Sequence, residues 1–264
     1  MRPARVAKVV YAIWYRETVR FARERTRWLG MITQPLFYLV LVGYGISSSM
    51  AFRQAPSGPG VSYLAFMYPG ILGMSILFMS LFSAIGIIWD REFGFLKEVL
   101  VAPAPRWAAA AGKALGIATV VTLQTTVLLL LAPIAHVALG AAMVVETLAV
   151  AAAIGFTLGC LGILVAGRMQ SLESFQLVMN VMTLPMFFLS GALYPLTGLP
   201  GWLSALAHVD PLTYGVDALR NVIYQDGPMR ALVQYPVGVD LAVLGAAAIV
   251  LAMAAAWSFE TQRS

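Results

Sequence analysis

Residues 90–106 break an otherwise apolar chain with Asp90, Arg91, Glu92, Phe93, Gly94, Phe95, Leu96, Lys97, Glu98, Val99 and Leu100, and close on Pro103, Pro105 and Arg106. Wound as a helix to about Val101, this stretch puts Phe93, Leu96 and Leu100 on one stripe and keeps Asp90, Arg91 and Glu98 polar, and the two prolines then end it. The chemistry on offer is recognition: an apolar knob to seat in a groove, with flanking charges to fix register. A plain surface loop is the alternative, and amphipathicity alone does not choose between the two.

Residue types that make or break bonds are sparse elsewhere. His136 and His208 have no ligand set around them in sequence, so no metal site is expected. No Gly-x-x-x-x-Gly-Lys-Ser/Thr phosphate loop occurs; Gly112-Lys113 continues as Ala114 without the upstream glycine. ATP chemistry would have to come from another chain. Nucleophile-elbow and zinc-protease patterns are missing as well. Within apolar stretches the polar residues are Gln34, Gln124, Thr125, Thr126, Asn180, Thr183 and Ser190, with Glu146 and Asp240 near the outer ends. A charge at mid-bilayer costs at least ~2.5 kcal/mol, and none stands near a span centre, which argues against a carrier driven by buried carboxylates. Gln124, Asn180 and Thr183 are candidates to line a conduit, with helix–helix hydrogen bonding as the competing role. Asp217 and Arg220, three apart, are expected to pair and brace an outer gate, or to form a surface pair worth under ~1 kcal/mol.

The elements that must position these residues are membrane helices. The 264 residues are 60% hydrophobic and only 11% charged, where soluble domains run about 25% charged. Apolar stretches of the roughly 20 residues needed to cross hydrocarbon recur along the chain. The fold class expected is an all-α polytopic membrane protein with spans at about 28–51, 62–89, 107–135, 141–166, 174–194 and 237–259. Residues 1–27 form an N-terminal interfacial segment and 28–260 the six-span domain. Within 4–27 a helix places Arg5, Lys8, Arg16, Arg20, Arg23 and Arg27 on one face and Val6, Val10, Ile13 and Trp14 away from it, the pattern of an in-plane amphipathic helix. Glu17/Arg20 and Arg20/Glu24 are helix-spaced pairs that favour it over a disordered basic tail. A turn-rich loop, Arg53 to Gly60, joins the first two spans, a tight hairpin at His136–Gly140 joins spans three and four, and Gly167–Glu173 joins four and five. Residues 195–228 read as two short re-entrant helices in the outer leaflet. One begins near Pro200; the other has Asp210 as N-cap and Pro211 at the first helical position. A seventh short span is the alternative.

The net charge of +5 would suit nucleic acid, but its placement does not. With the N-terminus inside, 14 of the 17 Lys and Arg fall on the cytoplasmic side and only Arg53, Arg220 and Arg230 outside. Trp28, Trp89, Trp107 and Trp257 fall at cytoplasmic span ends, where amphipathic rings settle. Both termini are expected in the cytoplasm of a cell whose inner membrane holds the chain, in contact with lipid and with no nucleic-acid partner. A cleavable signal peptide is not expected, because the basic lead is too long. Cys160 is the single cysteine, so no intrachain disulfide forms.

Asp90-Arg91-Glu92-Phe93-Gly94 running into Leu96-Lys97-Glu98-Val99-Leu100-Val101-Ala102-Pro103 resembles the cytoplasmic signature after the second span of type 2 ABC-exporter permeases, the family of drug-resistance, nodulation and polysaccharide export permeases. Pro185-Met186-Phe187-Phe188-Leu189-Ser190-Gly191, Tyr194-Pro195, Leu199-Pro200, Asp210-Pro211-Leu212-Thr213-Tyr214 and Arg220 are similar to that family's fifth span and outer re-entrant helices. The resemblance implies a coupling helix at 90–101 (Arg91, Glu92, Phe93, Gly94, Leu96, Lys97, Glu98 and Leu100), an in-plane helix carrying Arg16, Arg20, Arg23 and Arg27, and two permease copies. It further implies two separate cytoplasmic ATPase subunits holding ATP and Mg, and export of an amphipathic drug, lipid-linked or glycan substrate by a chain that is not itself an enzyme. An integral membrane enzyme acting on lipid is the reading from another class; it lacks a recognisable acid, base or nucleophile cluster.

Overall fold

The computed structural model describes residues 3–43, 45, 63–92, 105–138, 140–196, 198–225 and 228–260. Among them are ten α-helices and no strand: α1 Pro3–Arg23, α2 Arg25–Phe37, α3 Tyr63–Ser83, α4 Gly86–Glu92, α5 Arg106–Leu129, α6 Ala141–Arg168, α7 Leu172–Leu189, α8 Gly201–Val209, α9 Pro211–Ile223 and α10 Val237–Glu260. Five stretches are long and apolar enough to cross a membrane: Tyr63–Glu92, Trp107–Leu129, Ala141–Arg168, Leu172–Leu189 and Met229–Ser258. They coincide with the second to sixth expected spans. Of the first, Trp28–Gly43 is a shorter apolar helix, and residues 44 and 46–50 lie outside the described set. Pro35 removes a rung from the ladder of α2, which continues as a π-helical turn from Tyr38 to Gly43.

Several helix ends differ from expectation for local reasons. The N-terminal helix stops at Arg23 because Glu24 leaves helical geometry (φ −83°, ψ 79°). The third span ends at Leu129 rather than 135: Pro133 has no N–H and crowds the carbonyl four residues back, so the chain turns through a 3-10 segment, Ala132–Ala135, and His136 closes it in the left-handed region (φ 58°). The fifth stops at Leu189, not 194, because Gly191 (φ 71°) takes the left-handed position just past the helix end. Asp210 accepts the N–H of Leu212 at 2.9 Å with Pro211 next, so α9 starts where the sequence signals it. At 13 residues α9 is about 20 Å long, short of the ~30 Å hydrocarbon thickness, which disfavours the seven-span alternative.

The core is organised around α6, which packs on α5, α10, α3 and α9. Lipid tails are as apolar as leucine, so membrane helices gain little from burying grease and associate through close van der Waals contact between small residues. Gly155 and Gly159 on α6 take the side chains of Val121 and Ile117 from α5 so closely that an added Cβ would lie 2.9 and 3.0 Å from them. Against another side of α6, Gly215 brings α9 onto Ile154. The result seats α9 between α3 and α6, with Leu212 to Arg220 buried throughout.

Gly155→Val is therefore expected to force α5 and α6 apart and to cost about 1–3 kcal/mol. A thermal-unfolding midpoint in detergent equal to that of the parent would show the close approach is not limiting.

Candidate functional site

Four charged side chains from three helices meet at the end of α4, immediately before the charged segment. Asp90, closing the long α3–α4 rod, accepts from Lys113 Nζ (2.6 Å, α5) and Arg16 Nη2 (2.7 Å, α1). Glu17 accepts from the same two cations, at 3.1 Å from Lys113 and 2.7 Å from Arg16. Positive and negative groups thus alternate around a closed ring, and its deepest members, Lys113 and Asp90, are both buried. Arg20 lies over the Trp89 ring at 5.0 Å and reaches Glu24 at 3.4 Å, extending the ring along α1.

Sequence explains how α1 comes this close. Gly112 and Gly116 stand four apart on α5 and flank Lys113; a Cβ on either would lie within 2.9 Å of Val10 O and Ile13, or 2.8 Å of Glu17 Cβ. The glycines form a shallow track on which α1 lies, with Ile13 buried and Trp14 donating Nε1–H to Thr119 at 2.9 Å. Burial works to raise the Glu17 carboxyl, but the Lys113 charge and the Arg16 hydrogen bond together outweigh it and hold it below its ordinary value of 4.5. Its contribution to docking α1 is therefore complete above that value and fades as the pH falls through the lowered one.

Arg91, the next residue, makes a different attachment. Its Nη1 donates to Met169 O at 2.7 Å and its Nη2 to Gly167 O at 3.2 Å, so it satisfies carbonyls at the C-terminal end of α6 and places a cation at the negative pole of that helix. Two consecutive residues, Asp90 and Arg91, thus tie the root of the charged segment to α1, α5 and α6.

The other expected site residues fall as follows. Glu92 is exposed at the tip of α4, whereas Phe93, Gly94, Leu96, Lys97, Glu98 and Leu100 lie outside the described residues. On α1, Arg16 and Arg20 are turned onto the protein while Lys8 and Arg23 are exposed; the side chain of Arg27 is outside the described set. The expected Glu17–Arg20 pair does not form, since Glu17 is engaged by Lys113 and Arg16, but Arg20–Glu24 does. Gln124 is buried in the bundle, Asn180 is exposed on α7, and the Thr183 hydroxyl is spent on Met179 O at 2.6 Å, so the three do not share one surface. Asp217 and Arg220 are both buried, which rules out a surface pair, and they do not bond to each other. Asp217 accepts from the backbone N–H of Gln234 and Tyr235 (2.8 Å), while Arg220 donates to Gly191 O at 2.5 Å and stacks on Phe66 at 4.6 Å. Sequence reasoning missed Glu17 and Lys113 as site residues; the glycine pair around Lys113 was the available signal.

Comparison with known proteins agrees with this architecture. The family described as ABC-2 type transporter matches residues 8–224. The chain is 32% identical over 209 residues to a protein of Cyanophora paradoxa named transport permease ycf38, covering 76% of this chain and 69% of the relative. It is 24% identical over 193 residues to an Escherichia coli K12 protein named multidrug ABC transporter permease YbhR, covering 72% and 52%. It is 25% identical over 228 residues to nodulation protein J of Rhizobium meliloti, covering 80% of each.

Removing Lys113 leaves two carboxylates sharing the single cation Arg16, with Asp90 buried, so Lys113→Met is expected to cost about 3–5 kcal/mol. Adding Asp90→Leu should recover most of that loss, because Arg16 and Glu17 remain as a balanced pair. A double-mutant cycle on thermal stability checks this; strictly additive losses would show that Asp90 and Lys113 do not act as a unit.

Proposed function

The chain belongs to the ABC-2 type transporter family, a membrane transport subunit, and on that premise we propose that it is the permease of an ATP-driven exporter moved by a separate cytoplasmic ATPase that docks on Phe93–Leu100. The observation that carries this reading is the double anchorage of Asp90 and Arg91. A segment that receives a push must be rooted in elements that move as a body, and this root grips α1, α5 and α6 together. ATP and Mg reside on the partner, whose closure shifts the spans between inward- and outward-open states through contacts that differ between them.

The finer organisation follows from the same premise. Trp28–Gly43 begins the first of six spans, α1 lies in the plane of the inner leaflet of the inner membrane with both termini cytoplasmic, and α8 and α9 are re-entrant from the outer side. Arg16 and Arg20 hold α1 to the bundle while Lys8 and Arg23 face headgroups. Asp217 and Arg220 act as separate braces of the outer gate rather than as a pair. A second permease copy packs on α7, where Leu177, Asn180, Val181, Leu184 and Phe188 form an exposed stripe and a polar amide facing lipid is unfavourable. In that dimer Asn180 lies near the conduit, while Gln124 and Thr183, buried within each copy, support the helices around it. A groove of about 820 Å³ between α1 and α5, walled by Tyr11, Trp14, Leu115 and Leu123, supports a substrate with an apolar portion such as an amphipathic drug, a lipid-linked molecule or a glycolipid.

Reversing the charges with Glu92→Lys and Glu98→Lys is expected to abolish co-purification of the ATPase while membrane insertion stays intact. A partner retained at parental yield would place its docking surface elsewhere.

A further inference from the structure

Glu146 stands five residues past the start of α6, and Arg230 follows α9 in the 3-10 turn Pro228–Leu232. A carboxylate within so apolar a helix calls for a partner. Both side chains are exposed, and both line one cleft of about 590 Å³ between α6, α9 and the start of α10. Among the described residues they do not pair with each other. Gln225 stands between them: its Nε2–H donates to Glu146 Oε2 at 2.7 Å, and its backbone carbonyl accepts from Arg230 Nη1 at 2.6 Å. One glutamine therefore holds two opposite charges apart at a short distance. Glu146 keeps Oε1 as an acceptor, and Arg230 keeps Nη2 and Nε as donors.

Inward from the charges the cleft turns apolar. Val150 lies one turn further along α6, Leu241 one turn into α10, and Val222 walls the cleft from α9. Val150 and Val222 are buried, whereas Glu146, Gln225 and Arg230 form the exposed mouth. Asn221 also lines the cleft, but its amide N–H groups are given to Tyr235 O and Asp240. No aromatic ring lines it among the described residues. A cation and an anion side by side at the mouth, with apolar walls behind, complement an amphiphile whose polar end carries both signs. The volume falls within the roughly 300–1,000 Å³ typical of small-molecule sites.

We propose that this cleft binds a phospholipid whose headgroup carries a primary ammonium beside its phosphate, as phosphatidylethanolamine does. The phosphate takes the free edge of the Arg230 guanidinium, whose planar fork suits two phosphate oxygens at once. The ammonium donates to Glu146 Oε1, and the glycerol and first acyl carbons run inward past Val150, Val222 and Leu241. Two rival lipids fit worse. Phosphatidylcholine has no N–H to give Glu146, and its quaternary ammonium suits aromatic rings that this cleft lacks. Phosphatidylglycerol satisfies Arg230 but brings no cation to Glu146. The proposal goes beyond the exporter reading and takes from it only the leaflet, the outer one.

Native mass spectrometry of the detergent-purified chain, titrated with these three phospholipids on identical acyl chains, reads the preference. Phosphatidylethanolamine is expected to be retained severalfold more than either rival. Equal retention of all three describes lipid held by its tails alone and overturns the proposal. A preference for phosphatidylglycerol, which is Arg230 acting without Glu146, overturns it as well. This comparison uses the parent chain only, so it stands even where a variant fails to fold. Glu146→Gln should lower phosphatidylethanolamine to the level of phosphatidylcholine, and Arg230→Gln should lower both. Because the two side chains are exposed, both variants should melt with the parent. A preference that survives both substitutions would place the lipid elsewhere and refute the assignment. Dimers that these substitutions dissociate, with no ethanolamine preference, would give the cleft to a second copy of the chain instead. None of these readouts needs the ATPase or transport, so loss of the exporter reading would leave the lipid site standing, and the reverse holds too.

Discussion

Two cations and two carboxylates must stay together at the base of the bundle, and the rest of the arrangement follows from that requirement. Lys113 and Asp90 sit where water does not reach freely, so each is tolerable only while its partners in the ring are in place. Arg16 and Glu17 complete the set from a helix that is not part of the transmembrane core. The electrostatics therefore do what apolar contact does poorly in lipid: they specify which surface of α1 meets which surface of α5, and at what height. The glycine track at Gly112 and Gly116 permits the approach, and the charges give it a register. A slide of α1 by one turn would take Glu17 away from Lys113 and leave an ion unpaired.

This arrangement bears on how a push at the charged segment would travel. Interior packing is dense and deforms little, so displacement passes through bodies that shift relative to one another. Asp90 stands near the end of a rod of 30 residues, about 45 Å long, whose other end carries Phe66 beneath Arg220 and Ala65 beneath the Tyr224 hydroxyl. A tilt of that rod at Asp90 is therefore felt at α9. Arg91 adds a parallel route by holding the end of α6, on which α9 rests through Gly215 and Ile154. The break at Ala84–Ile85 is the place where the two routes can diverge, since the helix ladder is interrupted there.

What could be read from sequence and what could not divides along the range of the interaction. Asp210-Pro211 start α9 as expected because an N-cap and a proline at the first helical position act within one turn. The spans from 62 onward emerge in place because hydrophobic run length is a property of each segment alone. Boundaries were misplaced where a single residue overrides that run, as Pro133 and Gly191 do. The ring of charges was not visible: Lys113 reads as one more inward positive charge and Glu17 as a neighbour of Arg20, since nothing local says that residues 16, 17, 90 and 113 converge. Arg220 failed in the opposite sense. Its spacing from Asp217 invites a helix-surface pair, but burial sends the guanidinium to a carbonyl on another segment and the carboxylate to two backbone amides.

That failure separates the two ends of the bundle in kind. At the Asp90 end the four ring side chains bind one another, so each of those bonds is charge-specific, and Arg91 adds two bonds to backbone carbonyls. At the Asp217 end side chains bind backbone: Asp217 to the Gln234 and Tyr235 amides, Asn221 to Tyr235 O, Arg220 to Gly191 O. Bonds of that second kind fix loops to helices and hold the connections flanking α8 and α9 as one unit with α9. Asp240 is held differently, by the Asn221 side chain alone, with its other oxygen unpartnered among the described residues. Where α9 meets α10, then, one side-chain bond does among the described residues what several backbone bonds do at the loops.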